Sequence, residues 1–222
     1  MSIKKNIEEI KSKLGENTKL IAVSKTKTNE EIIEALNAGQ ILFGENKAQE
    51  LRDKAEVLPR EIEWHFIGHL QRNKVKYVVP HASLIHSVDS LRLLKEINKQ
   101  AIRFERVIPC LLQIDIAKEE AKFGFELEEI IEMLESDDFK KLKNISIHGV
   151  MGMGSITDDE AKTDSEFKEL RESFDILKEK HFADKPEFKE VSMGMSGDYE
   201  IALRHGSTMV RIGSSVFGER NY

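Results

Sequence analysis

The residues of this sequence best suited to chemistry are a lysine near its start and a group of polar residues near its end. Lys25 follows Lys19-Leu20-Ile21-Ala22-Val23-Ser24, an apolar run that reads as a buried strand. A lysine there is either a strand cap that points into solvent or an amine retained for chemistry, because lysines are excluded from interiors unless paired. A desolvated ammonium gives up its proton readily, and the neutral amine attacks an aldehyde to form a Schiff base. Far downstream, Ser196 precedes a helical segment running to Arg204, and Gly213-Ser214 follow the run Met209-Val210-Arg211-Ile212. Small residues there let backbone N–H groups approach an anion, and a helix N-terminus adds partial positive charge, which suits phosphate. Taken singly, Ser196 is also an ordinary N-cap and Gly213 an ordinary turn glycine. Arg211 keeps its charge and must meet an acceptor, either a heteroaromatic ring nitrogen or a rim glutamate such as Glu45 or Glu219. An aldehyde-seeking lysine, a phosphate cradle and an arginine for a ring nitrogen are together complementary to pyridoxal 5′-phosphate.

Bringing residues so distant in sequence together requires a scaffold, and the sequence describes one. Short apolar runs alternate with longer segments of helical periodicity, the mark of βαβ units around a parallel sheet. Eight runs are expected as strands: Leu20–Ser24, Ile41–Gly44, Trp64–Gly68, Leu84–Ser87, Ile108–Ile114, Ile145–Val150, Glu190–Met193 and Met209–Gly213. Eight parallel strands suggest a closed α/β barrel, whose site lies where the strands end. Glu45-Asn46, Gly68-His69, His86-Ser87, Met151-Gly152-Met153 and Gly194-Met195-Ser196-Gly197-Asp198 are all expected at that rim with Lys25 and Arg211. Thr28 and Glu31 form a capping box for one helix, which Gly39 stops. A second box is expected at Thr157 and Glu160, opening a helix with Phe167, Leu170, Phe174 and Leu177 on one face. Asp89 or Ser90 can cap the helix that carries Leu91, Leu94 and Ile97. No linker, repeat or low-complexity tract interrupts residues 1–222, so a single domain is expected.

Composition narrows the class. Charged residues make up 33% of the chain and hydrophobic ones 40%, a globular profile. With 34 basic and 40 acidic side chains the formal net charge is −6, which gives no general attraction for nucleic acid or an anionic membrane. The single cysteine, Cys110, lies in an apolar run and reads as a buried hydrophobe rather than a catalytic thiol, as expected of a reducing compartment. The first residues place Ile3, Ile7, Ile10 and Leu14 at helical spacing among charges, without a signal-peptide core, so a cytoplasmic location is expected. His65, His69 and His86 lack metal-ligand spacing and read as packing or rim hydrogen-bonding groups.

Five segments together carry a resemblance: Ala22-Val23-Ser24-Lys25-Thr26-Lys27, Phe43-Gly44-Glu45-Asn46, Trp64-His65-Phe66-Ile67-Gly68-His69-Leu70-Gln71, Ser192-Met193-Gly194-Met195-Ser196-Gly197-Asp198 and Val210-Arg211-Ile212-Gly213-Ser214. In order and spacing they resemble the YggS/PROSC family of pyridoxal phosphate homeostasis proteins, over nearly the whole chain. The resemblance implies a modified (β/α)8 TIM barrel, like the N-terminal domain of alanine racemase, with an extra N-terminal helix. It implies Lys25 as the Schiff-base lysine, Ser196, Gly213 and Ser214 around the phosphate, and Arg211 at the pyridine nitrogen, with Asn46 and Met195 lining the site. Lys27 shares strand parity with Lys25 and competes with it, but lies farther from the strand end, beside the Thr28 cap. Racemases of this barrel type add a C-terminal β domain with a tyrosine base. Tyr77, Tyr199 and Tyr222 lack a supporting motif, so no catalytic residue is assigned. The expected role is intracellular homeostasis of pyridoxal phosphate, as a carrier or buffer that passes it to apo-enzymes, with a monomer expected. The alternative is a small racemase, decarboxylase or lyase that uses the same cofactor.

Overall fold

The computed structural model describes residues 2–118 and 123–218. Strands β1 (Lys19–Val23), β2 (Leu42–Glu45), β3 (Glu63–Phe66), β4 (Ala82–Val88), β5 (Ile108–Ile114), β6 (Ile145–Gly152), β7 (Glu190–Ser192) and β8 (Met209–Ile212) form a closed barrel in sequence order. Every neighbouring pair is parallel, and β8 closes on β1 with Lys19 opposite Met209 and Ile21 opposite Arg211. All eight expected strands are present, β5 with the expected bounds and the others with ends moved by at most two residues. The reading of the rim changes in two places: His86 and Ser87, expected there, are interior residues of β4, and β6 runs two residues farther than expected and takes in Met151 and Gly152.

Around the barrel run α1 (Ile3–Lys13), α2 (Asn29–Asn37), α3 (Ala48–Val57), α4 (Val75–Val78), α5 (Leu91–Arg103), α6 (Leu127–Glu135), α7 (Asp137–Lys140), α8 (Glu160–His181), α9 (Tyr199–Arg204) and α10 (Ser214–Phe217). The Thr28–Glu31 capping box opens α2, and Gly39 follows it at φ +80°, a backbone that glycine adopts without a Cβ penalty. Of the two candidates before α5, Ser90 is the cap, accepting from the Leu93 amide. The second expected box does not form. Asp159 caps α8 by accepting from the Ala161 and Lys162 amides, and Thr157 Oγ1 accepts from the Asp159 amide instead. A carboxylate at the cap gains from the helix dipole as well as from its hydrogen bonds, which favours the aspartate. The extra N-terminal helix buries Ile3, Ile7 and Ile10 and is tied to α10 by Asn6 Nδ2 donating to the Val216 carbonyl at 2.9 Å.

Strand alternation divides the core in two. Leu20, Ala22, Phe43, Trp64 and Phe66 face the helices, where the α8 stripe of Phe167, Leu170, Phe174 and Leu177 is also buried. Ile21, Leu84, Leu111, Met151 and Met209 form a separate apolar cluster that fills the barrel. Two positions beyond Leu84 and Met209 on the same strand faces stand His86 and Arg211, so the interior layer toward the rim is polar. Cys110 is fully buried, and burial pushes its thiol well up, as its reading as a hydrophobe requires. Among the described residues no helix is long and apolar enough to cross a membrane.

Candidate functional site

A cavity of about 270 Å³ opens at the C-terminal ends of the strands. The fold brings all seven residues expected at the site to its lining: Lys25 and Asn46 beyond β1 and β2, and Met195, Ser196, Arg211, Gly213 and Ser214 from the β7 and β8 side. Val23, Ile67 and Met153 supply apolar wall, and Lys27 lines the same space. A wider hollow of about 730 Å³ between α8 and α9 shares Ser196 and Gly197 but includes none of Lys25, Asn46 or Arg211.

Lys25 sits in a tight turn closed by the Lys27 amide donating to the Ser24 carbonyl at 3.0 Å. Thr26 takes φ +65°, a left-handed conformation that a side chain disfavours. The neighbouring polar groups hold it there. Glu50 Oε1 accepts from the Thr26 amide at 2.6 Å, and Lys54 Nζ donates to the Ser24 carbonyl at 2.7 Å and to Glu45 and Glu50 at 2.8 Å each. Ser24 Oγ donates to Glu45 Oε1 at 2.6 Å. This clamp was not foreseen from the sequence, where the only trace of it is the Glu50–Lys54 spacing of four on a helix. It also corrects the rim role given to Glu45, which is the last residue of β2, fully buried, and paired with Lys54 rather than Arg211. Burial pushes the Glu45 carboxyl up, and the Lys54 ammonium pulls against it. The other proposed partner of Arg211, Glu219, lies outside the described residues, as does Tyr222.

Arg211 lies in β8, 5% exposed, with Nη1 donating to Ser192 Oγ at 2.6 Å and Nη2 to the Gly152 carbonyl at 3.0 Å. Both acceptors are neutral. Burial pushes the guanidinium down to about 10, partly offset by Asp198, so it remains charged at neutral pH. Beneath it His86 Nδ1 lies 2.9 Å from Ser192 Oγ, and His86 Nε2 lies 2.8 Å from His65 Nδ1. Both imidazoles are buried and neutral: burial pushes His65 down to about 3 and His86 well below its ordinary value. They are thus barrel-interior groups, whereas His69 is outside the cavity, stacked on Phe123 at 3.7 Å between ring centres and 3.2 Å from Asp89.

The remaining lining residues have polar groups to offer. Asn46 Oδ1 is buried and has no hydrogen-bond partner among the described residues. Its backbone is fixed by Gly68, where a Cβ would stand 2.2 Å from the Asn46 carbonyl oxygen. Ser196 does not cap α9; Asp198 stands at that position, and its carboxylate accepts from the Met195 amide at 2.5 Å. Ser214 opens α10 directly after Gly213, whose carbonyl accepts from the Val216 and Phe217 amides, so the Ser214 and Ser215 amides are the ones without a partner inside the helix. A buried guanidinium, the small residues Ser196, Gly213 and Ser214, and a lysine beside an apolar wall fit a small anionic heteroaromatic aldehyde.

The family described as alanine racemase, N-terminal domain, matches residues 1–221. A pyridoxal phosphate homeostasis protein of Aquifex aeolicus is 40% identical over 210 residues, which cover 94% of this chain and 90% of its own. The chain is a member of the pyridoxal phosphate homeostasis protein family. A second member, from Vibrio alginolyticus, is 38% identical over 236 residues, covering 100% and 99% of the two chains. Among solved structures, PipY of Synechococcus elongatus with PLP bound superposes with a TM-score of 0.87 at 33% identity, over 97% of this chain and 100% of that one. An alanine racemase of Clostridium difficile shares the fold at a TM-score of 0.76 and 19% identity, this chain spanning 60% of it.

Proposed function

We propose that this family member binds pyridoxal 5′-phosphate in the rim cavity and serves in its intracellular homeostasis, holding and releasing the cofactor through Lys25. The observation that carries this reading is the meeting of Lys25, Asn46, Ser196, Arg211 and Gly213-Ser214 at one cavity from opposite ends of the chain. Pyridoxal phosphate supplies an electrophilic aldehyde, a phosphate dianion and a ring nitrogen. In this reading Lys25 takes the aldehyde, Ser196, Gly213 and Ser214 hold the phosphate through hydroxyl and amide donors, and Arg211 donates to the ring nitrogen. A guanidinium that stays charged opposes protonation of that nitrogen, which leaves the ring a weak electron sink and favours storage over carbanion chemistry. The ring hydroxyl is the ligand group that can donate to Asn46 Oδ1, an acceptor left without a partner among the described residues.

The test is borohydride reduction of the protein loaded with pyridoxal phosphate, followed by peptide mass spectrometry. The reduced adduct is expected on Lys25 and is lost in Lys25→Ala; an adduct on another lysine in the wild type would overturn the assignment. Incubation with amino acids in deuterated water separates storage from turnover. Exchange of the Cα proton at enzymatic rates would favour the racemase, decarboxylase or lyase alternative.

A further inference from the structure

Barrels of this kind ordinarily fill their interior with layers of branched apolar side chains. Here an unbroken run of polar contacts descends from the cavity: Arg211, Ser192, His86 and His65, all 5% exposed or less. It ends beside a second hollow at the opposite mouth of the barrel, lined by His65, Lys19, Glu190 and His148. Ser192 Oγ decides the direction of this run. It accepts from Arg211 Nη1 at 2.6 Å, and among the described residues the other group within reach is His86 Nδ1 at 2.9 Å. A hydroxyl has one proton to give, so Ser192 donates to His86 Nδ1. His86 then carries its proton on Nε2 and donates to His65 Nδ1 at 2.8 Å, which leaves His65 with its own proton on Nε2. Each dipole in such a chain has its negative end toward the guanidinium, and aligned hydrogen bonds polarise one another.

We infer that Ser192, His86 and His65 form a neutral, directionally polarised column that positions Arg211 and preserves its full positive charge toward the cavity. A carboxylate in place of Ser192 would hold the guanidinium equally well but neutralise it; neutral acceptors leave the charge for a ligand. The charged groups that face the column are Lys19 and Glu190 below, joined to each other at 2.6 Å, and Arg211 with Asp198 above. Protonation of His86 on Nδ1 would turn an N–H toward the Ser192 hydroxyl proton, and protonation of His65 on Nδ1 would turn one toward His86 Nε2–H, so each would reverse or break the chain at that link. His86 and Ser192 therefore act through Arg211, without contact with a ligand.

Two measurements test this. Long-range ¹H–¹⁵N correlation of the ligand-free protein reads the imidazole tautomers directly, with peaks assigned by His65→Gln and His86→Gln. Both rings are expected neutral with the proton on Nε2, unchanged from pH 8 to pH 5.5; a charged ring or an Nδ1 proton on His86 overturns the column. The second measurement rests on the reading that the cavity takes pyridoxal phosphate. Ser192→Ala is expected to weaken retention of pyridoxal phosphate about tenfold, the order of one hydrogen bond to a charged group, and to shift the pH midpoint of the visible absorbance band. Ser192→Thr, which keeps the hydroxyl, is expected to restore both. Unchanged retention and midpoint in Ser192→Ala would overturn the positioning role, whereas a wild type that binds no pyridoxal phosphate would overturn the cofactor reading and leave the tautomer result to decide the column.

Discussion

The wall of the cavity beyond β1 and β2 and the wall beyond β7 and β8 each present a cation, Lys25 and Arg211, and the two are supported by opposite means. Under Lys25 lies an ionic clamp in which Lys54 joins Glu45 and Glu50 and grips the turn backbone. Under Arg211 lies a neutral column of hydroxyl and imidazoles. The contrast matches the roles proposed for the two cations. A lysine that attacks an aldehyde has to lose its proton, and the carboxylates near its turn are already engaged by Lys54. An arginine that faces a ring nitrogen has to keep its proton, and among the described residues its hydrogen-bond acceptors are the neutral Ser192 hydroxyl and Gly152 carbonyl.

Lys54→Met breaks the first wall and carries the largest expected effect. It leaves Glu45, fully buried, without its cation. Removing one partner of a buried ion pair costs about 3–5 kcal/mol. Urea denaturation should show a loss of that order, partly recovered in the double variant Lys54→Met/Glu45→Gln, where the orphaned charge is removed as well. A loss under about 1 kcal/mol would mean the clamp is a surface-like ion pair and does not hold the turn.

Acid should separate the walls by sign. The folded pKa of His65 is depressed from 6.5 to about 3 by burial, so below pH 6.5 the unfolded chain takes up the proton first. Stability from His65 is present above pH 6.5 and falls as pH drops toward 3, by up to about 1.4 kcal/mol per pH unit; His86, shifted in the same direction, adds to it. Glu45 has a raised carboxyl and contributes the opposite way, its share being greatest at low pH and lost as pH rises through its folded value. The stability gap between wild type and His65→Gln should therefore narrow between pH 7 and pH 4.5. A constant gap would show that His65 is already able to accept a proton in the folded state.

The sequence disclosed the site's endpoints better than their supports. Lys25, Ser196, Arg211 and Gly213 were legible because each is an unexpected or permissive residue type at the end of an apolar run, and strand ends in a barrel share one rim. The clamp and the column were not legible, because each depends on contacts across strands that no local pattern records. His86 bonds to His65 on the adjacent strand and to Ser192 three strands away across the barrel interior, a meeting that only closure creates. Depth along the strand was not legible either: His86 was expected at the rim as a strand-end residue, whereas its ring is fully buried between His65 and Ser192. The competition between Thr157 and Asp159 for the α8 cap was a matter of two capping residues two positions apart, which spacing alone does not resolve.

Thr26 offers the finest test of the Lys25 wall. At φ +65° its side chain carries a left-handed penalty of roughly 1–2 kcal/mol. Glycine would remove that penalty and lose about 1 kcal/mol through the extra freedom of its unfolded backbone. Thr26→Gly should thus be neutral or stabilising by less than about 1 kcal/mol, a rise of at most about 2–4 °C in melting temperature for a chain of this size. If the Glu50 and Lys54 contacts fix the turn, reduction should still place the adduct on Lys25 at the wild-type rate, because the threonine amide that Glu50 accepts from is also present in glycine. A slower reaction in a protein of unchanged stability would instead assign the placement of Lys25 to the threonine side chain, and the clamp would hold the backbone without aiming the amine.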